Sequence, residues 1–207
     1  KTKDPSGSDT PKTQGTATLL SGSEINVKFK ELAGNSTATE YTKDTTITAI
    51  QQSSVQPSAA VIADATSQIS TADSEKPVYA WYDNGAIKWW SEAKKVNAGT
   101  DLSYLCYNME NLTDINGLTN WDTNNVRWMH STFDGCENIT TLSPLMNWNT
   151  SNVENMMDVF YSCKSLTNLH GLENWDVSHI TTTENMFRDC ECLTDISALA
   201  KWKILTD

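Results

Sequence analysis

Cysteine and histidine are the residue types in this chain that could bind a metal or supply a nucleophile with its base. Three of the five cysteines, Cys136, Cys163 and Cys190, lie 27 residues apart. The three histidines show neither HExxH spacing nor zinc-ligand spacing near these cysteines. Recurrence at one position favours a column of buried free thiols, although a strained disulfide between neighbours stays open. We therefore expect no catalytic residue, no metal and no cofactor.

Carboxylates are abundant, but their pattern does not indicate acid–base catalysis or a defined cation site. Asp122, Asn124 and Asp176 could supply oxygen ligands to Ca²⁺, yet they follow tryptophans in segments typical of turns. The formal net charge of -11 argues against binding to nucleic acid or to anionic lipid. No apolar run approaches the roughly 20 residues needed to cross a bilayer, so we expect no membrane insertion.

The elements that would position these residues come from a pattern repeated every 27 residues. Copies start at Trp121, Trp148 and Trp175, and a degenerate copy starts at Lys94. Seven columns are apolar or Cys in every clear copy, including tryptophan, phenylalanine and the cysteines described above. A unit this short cannot bury its own apolar face, so copies must stack. The pattern predicts an α/β-type repeat solenoid with short parallel strands, coil or short helices, and an N-terminal β-rich cap.

The domain boundaries follow from composition. We predict a flexible tail over residues 1–15, a β-rich region over 16–76, an aromatic hairpin cap over 77–93 and the solenoid over 94–207. Within the β-rich region, "TATLLSGSEINVKFKEL" indicates two short strands around a Ser-Gly turn, and "TTITAI" a third strand. The hairpin signal is stronger, because two aromatic runs flank Asp83-Asn84-Gly85.

Two surfaces are candidates for binding. Residues between apolar positions of a strand face away from the core, so the strand ladder would present a varied polar face. We predict protein binding there, by Thr113, Asp114, Asn116, Thr141, Ser143, Asn168, His170, Asp195 and Ser197. The alternative is sugar binding by hairpin aromatics, Trp81, Trp89 and Trp90. The recurring tryptophans are better explained as stacked core residues.

The copy "WNTSNVENMMDVFYSCKSLTNLHGLENW" resembles the repeat of BspA-like leucine-rich-repeat bacterial surface proteins. The segment "PVYAWYDNGAIKWWSEAKKV" is similar to the stretch that precedes the first repeat in that family. The resemblance covers about residues 77 to 202. It implies a secreted or wall-attached protein of host-associated bacteria that acts in adhesion or protein binding, and it carries no catalytic residues.

We therefore expect a non-catalytic adhesion or protein-binding protein, secreted or on the cell surface, whose signal segment is absent from this chain. Its partner would be a host extracellular or cell-surface protein, or a glycan. A carbohydrate-binding module and a structural spacer for a surface protein are the alternative functions.

Overall fold

A computed structural model describes residues 15–202 of the chain. Almost all of the predicted tail, residues 1–15, lies outside the described residues, as do residues 203–207. The strands and helices are β1 Thr16–Thr18, α1 Gly22–Leu32, β2 Ala49–Gln52, α2 Ala59–Ala63, β3 Val78–Asp83, β4 Ala86–Ser91, β5 Lys95–Asn97 and β6 Trp121–Asp122. Short 3-10 helices occur at Ala65–Ser67, Asn116–Leu118, Ser143–Leu145 and Ser197–Lys201.

The strands form two three-stranded sheets. In one, β5 lies between β1 and β6, and all three strands are parallel. In the other, β4 pairs antiparallel with β3 and parallel with β2. The turn between β3 and β4 is Asn84-Gly85, and both residues have positive φ, 48° and 90°. Two left-handed residues in sequence match the strand twist of a tight hairpin, so the predicted hairpin is present.

The predicted α/β-type, leucine-rich-repeat-like solenoid is wrong. The described strands are confined to the two small sheets, and the clear 27-residue copies contribute only the two-residue strand β6 together with isolated bridges. The expected strand ladder and convex helices are replaced by turns and 3-10 helices. The physical reason is that each copy contains two residues with left-handed backbone, at the same positions every 27 residues. A left-handed residue interrupts both a strand and an α-helix. These residues are Tyr104, Ser131, Asp158 and Asn185, and then Asn108, Gly135, Ser162 and Asp189.

The β-rich reading of residues 16–76 is corrected in the same way, because the longest element there is α1. The residues expected to form a Ser-Gly turn instead begin this helix. Ser21 is its N-cap and forms a capping box with Glu24, in which each side chain bonds the other residue's backbone N–H. The short S-x-x-E signal thus starts a helix whose buried face carries Ile25 and Phe29.

Helix α1 supplies hydrogen-bond donors to the degenerate copy. Along the turns, N–H groups of one copy donate to carbonyls of the next, as from Leu102 N to Trp128 O at 2.9 Å. The degenerate copy is the first in the series, so no earlier copy donates to its carbonyls, and another element must supply the donors. A stripe of α1 residues at four-residue spacing supplies them. Gly22 N donates to Asp101 O at 2.9 Å, Asn26 Nδ2 to Leu105 O at 3.2 Å and Tyr107 O at 3.3 Å, and Lys30 Nζ to Tyr107 O at 3.0 Å.

Aromatic columns fill the core between the copies. Trp148 and Trp175 stack with centroids 6.5 Å apart and planes 3° apart, and Phe133 and Phe160 stack at 5.5 Å and 4°. The indole Nε1 of Trp148 donates to Leu118 O at 3.0 Å. Trp121 is also buried, but its Nε1 has no hydrogen-bond partner among the described residues. Burial of the tryptophan column agrees with the expectation from the sequence.

All five cysteines are free thiols, and Cys136, Cys163 and Cys190 form a column. Cys106, Cys136 and Cys163 are buried, Cys190 is half-buried and Cys192 is exposed. Three of them donate Sγ–H to backbone carbonyls of the preceding copy, at 3.1 to 3.3 Å. Their role in the structure is packing.

Candidate functional site

The predicted binding residues fall into two groups with different local roles. In each of four segments, one side chain accepts a hydrogen bond from the backbone N–H two residues later, which closes an Asx-type or Thr turn. These side chains belong to Asp114, Thr141, Asn168 and Asp195, and the bonds measure 2.8 to 3.2 Å. They hold the backbone, and substituting them would disturb the turns as well as any surface.

The first of these segments is partly covered by the N-terminal region. Ile50 N donates to Asp114 O at 2.8 Å, and Gln51 Nε2 donates to the Asp114 carboxylate at 3.0 Å. The Thr113 hydroxyl donates to Thr48 O at 3.1 Å. Asn116 stays exposed at this edge. The open part of the candidate surface therefore lies farther along the chain.

That open part is a strip of exposed polar side chains, which we term the polar strip. It consists of Thr140, Thr141, Ser143, Thr167, His170, Thr194 and Ser197, all of them exposed. Near its middle, His170 Nδ1 lies 2.9 Å from Glu173 Oε1, and its Nε2 lies 3.9 Å from Asp195 Oδ2. Hydrogen bonds from the backbone N–H and side chain of Ser197 lower the pKa of the Asp195 carboxyl, which keeps it an ionised acceptor.

The three hairpin tryptophans are not brought together into one platform. Trp89 is 1 % exposed, lies 6.2 Å from Trp121 between ring centroids, and donates Nε1 to Gly117 O at 2.8 Å. Trp81 and Trp90 are half-buried and belong to the opposite face of the hairpin, because alternate residues of a strand face opposite sides. A sugar-stacking site made by all three residues would therefore have to open the core.

A surface groove of about 790 Å³ was not found from the sequence. Every residue that lines it is polar except one glycine: Thr18, Asn97, Gly99, Thr100, Asn125, Arg127, Asn152, Glu154, His179 and Thr181. Its one full ion pair joins Arg127 and Glu154, with Nε 2.9 Å from Oε1. The available signal was the pair of polar residues that flank each buried Val or Ile of the copies.

Neither a metal-binding cluster nor an activated thiol in the cysteine column is present among the described residues. Among residues 15–202, no group of three or more His, Cys, Asp or Glu side chains is placed to hold a metal ion. Burial raises the pKa of the Cys136 and Cys163 thiols well above the ordinary value, and that of Cys190 to about 11. A thiol that stays protonated is a poor nucleophile.

Comparison with known proteins adds one positive finding. Neither the curated proteins nor the solved structures include a match to this chain. Within the part of the chain that the structure describes, no helix combines the length and apolar character that spanning a membrane requires. A family model matches residues 100–206, which are 107 of the 207 residues. The chain belongs to the family described as Mycoplasma protein of unknown function, DUF285.

Proposed function

We propose that this chain is a non-catalytic binding protein of the adhesion type, secreted or held on a bacterial cell surface, and that the polar strip binds a host extracellular or cell-surface protein. The observation that carries the proposal is the strip itself. Seven exposed polar side chains stand on turns that hydrogen bonds hold in place. Such preorganised residues lose little conformational freedom on binding.

The composition of the polar strip supports a protein partner. Six of its seven residues are Thr or Ser, and three of these are Thr at the same position in successive copies. His170 stands where the neighbouring copies have Ser143 and Ser197, so the strip offers a row of hydroxyl groups interrupted by one imidazole. His170, with carboxylates on either side, adds a polar anchor near the middle of the strip. The resemblance of the copies to BspA-like surface proteins supports the proposed location and the adhesive role.

A glycan is the second candidate partner, and the groove favours it. Opposite charges on Arg127 and Glu154 leave the groove with no excess of either charge. The Asn97 and Asn125 side chains make no hydrogen bond within the described residues, so their amides could meet the hydroxyls of a neutral sugar. A volume of about 790 Å³ lies within the usual range for ligand sites. In a third alternative, the chain is only a spacer for another surface domain.

Three variants would separate these functions. The strip variant carries Thr167→Ala, His170→Ala and Thr194→Ala, which leaves the four turn-closing side chains in place. The groove variant carries Asn97→Ala and Asn125→Ala. The control carries Ser36→Ala, Thr45→Ala and Gln56→Ala, at exposed positions in the N-terminal region.

Each variant and the unmodified chain would be tested against extracellular-matrix proteins, mucins and a glycan array, with circular dichroism as the check of folding. Binding to a protein that is lost only in the strip variant would support the proposal. Glycan binding that is lost only in the groove variant would replace the proposal with the second candidate. Absence of binding by the unmodified chain to all of these ligands would favour the spacer.

A further inference from the structure

Three tyrosines form an aromatic surface that joins the N-terminal region to the degenerate copy. Tyr41 is 59 % exposed, and its ring centroid lies 5.7 Å from that of Tyr104 and 6.0 Å from that of Tyr107. Tyr104 and Tyr107 are 5.4 Å apart, and all three rings meet edge to face. We term Tyr41, Tyr104 and Tyr107 the tyrosine surface. None of these residues belongs to the polar strip or to the groove.

The backbone at Tyr104 is strained. Its φ is +64°, in the left-handed region, where a bulky side chain is a genuine outlier. The equivalent positions in the clear copies hold Ser131, Asp158 and Asn185, which are smaller and polar. Residues held in such conformations cluster at functional sites. A phenol ring is therefore kept at a position where a smaller residue would fit the backbone with less strain.

Two carboxylates next to the tyrosine surface lack basic partners. The backbone N–H of Asn108, next to Tyr107, donates to Asp134 O at 2.8 Å. Burial raises the pKa of the Tyr107 hydroxyl, and the charges of Asp134 and Asp158 add to this. Neither forms a salt bridge within residues 15–202. Burial raises the pKa of the Asp134 carboxyl to about 6; a hydrogen bond from Ser131 partly offsets this, and the charge of Asp158 adds to it. The positive charge of an incoming cation would offset the cost of keeping these two carboxylates ionised, a cost that arises from partial burial and from their mutual repulsion.

The basic side chains of this part of the chain are engaged elsewhere. Lys30 is buried beneath the surface and donates to backbone carbonyls. Lys43 pairs with Glu110. His130 lies edge-on to Tyr104, with centroids 4.7 Å apart, and bonds the Ser103 hydroxyl at 2.8 Å. Arg188 lies farther along and acts on Tyr161, although a hydrogen bond with Asp189 and the charge of Asp189 raise the pKa of that phenol overall. The charge nearest the tyrosine surface is therefore mainly acidic.

We propose that the tyrosine surface, together with Asp134 and Asp158, is a second interaction site, which binds an arginine- or lysine-bearing segment of a partner protein. A guanidinium or ammonium group is attracted to the face of a tyrosine ring within about 6 Å of its centroid. The carboxylates supply charged acceptors for the same group. Tyrosine is also enriched in protein interfaces because it offers a large rigid surface with a polar tip. This site does not depend on the polar strip.

The test uses two fluorescein-labelled peptides, one of alternating glycine and arginine and one in which citrulline replaces arginine. Citrulline keeps the shape of the side chain but removes its charge. Fluorescence anisotropy with the full chain would be measured at about 0.15 M salt, where the Debye length is about 8 Å. We expect the arginine peptide to bind and the citrulline peptide to bind at least about tenfold more weakly.

Four variants test the residues. Tyr41→Ala removes an exposed ring, and Tyr41→Phe keeps the ring without its hydroxyl. Asp134→Asn with Asp158→Asn removes two charges at the site, whereas Asp73→Asn with Glu92→Gln removes two exposed charges outside it. We expect Tyr41→Ala and the first pair to weaken binding about tenfold. Tyr41→Phe and the second pair should stay within about threefold of the unmodified chain.

Equal losses in the two charge-removing pairs would overturn the proposal, because binding would then follow net charge alone. Absence of binding by the arginine peptide, or equal binding by the citrulline peptide, would overturn it as well. Since Tyr41 is exposed and the Asp changes keep the side-chain shape, thermal unfolding should show each variant folded. Loss of the polar strip's activity in the earlier experiment would leave this result unchanged.

Discussion

Replacing Lys30 with methionine should change how the stability of the chain depends on pH. The Lys30 side chain is fully buried, and its Nζ donates to Glu40 O at 2.9 Å and Tyr107 O at 3.0 Å. Burial lowers its pKa from the ordinary 10.5 to about 8, although Asp44 acts in the opposite direction. Between these two values, the unfolded chain binds more protons at this position than the folded chain does. The free energy of unfolding therefore rises with pH across that window.

The size of the effect follows from the pKa difference. A shift from 10.5 to about 8, at about 1.4 kcal/mol for each pKa unit, corresponds to about 3 kcal/mol. This contribution is fully present above pH 10.5 and is lost as pH falls through 8. The other titratable groups are present in both proteins. The difference between the unmodified chain and Lys30→Met therefore isolates Lys30.

The assay is urea unfolding of both proteins between pH 7 and pH 10.5. We expect the stability of the unmodified chain relative to Lys30→Met to increase by about 3 kcal/mol over this range. At pH 7 the variant should lose the hydrogen bonds to buried carbonyls but also lose the cost of a buried charge, so the two effects oppose each other. A difference that stays constant with pH would refute the assignment of Lys30 as a buried donor with a lowered pKa.

Three further predictions concern other buried groups. Trp148→Phe should cost about 1 kcal/mol more than Trp121→Phe in urea unfolding, because only Trp148 loses an indole hydrogen bond; equal costs would contradict this. Asp134→Asn should raise the melting temperature at pH 7.5 but not at pH 4. The Asp134 carboxyl has a pKa of about 6 in the folded chain against an ordinary 3.8, so its ionisation destabilises the fold as pH rises between these values. An equal shift in melting temperature at both pH values would rule this explanation out. Gly22→Ala should lower the free energy of unfolding by about 1–3 kcal/mol, because the added Cβ would lie 2.5 Å from Leu102 C and Ser103 O. Ser23→Ala on the same helix is the matched control and should have little effect.

The parts of the fold that follow from short-range patterns could be predicted from the sequence. Asn84-Gly85 between aromatic runs indicated the hairpin, and the 27-residue spacing of tryptophan and phenylalanine indicated the stacked aromatic core. The strands and helices assigned within each copy could not be predicted correctly, because hydrophobic spacing does not show a left-handed backbone. Ser131 and Asp158 are compatible with a helix by composition, yet both have positive φ. Helix α1 was missed because Ser21-Gly22 was interpreted as a turn between two strands.

The candidate sites show the same division. Exposure of Thr167, His170 and Thr194 agreed with their placement between apolar positions. The contact between Gln51 and Asp114 could not be predicted, because the two residues are 63 positions apart in the chain and are brought together by strand β2 of the second sheet. For the same reason the contact of Tyr41 with Tyr104 was missed. A single sequence with no alignment carries no signal for such long-range contacts.

The different exposure of the five cysteines has a practical consequence for following how the molecule opens. Cys192 is exposed, Cys190 is half-buried, and Cys106, Cys136 and Cys163 are buried. A thiol-specific reagent should modify Cys192 at once and the others only when their own segment separates from its neighbours. Mass spectrometry of the modified peptides would then time local unfolding at five positions without any introduced label. The rates would show whether the chain frays from its C-terminal copy or opens as a single unit.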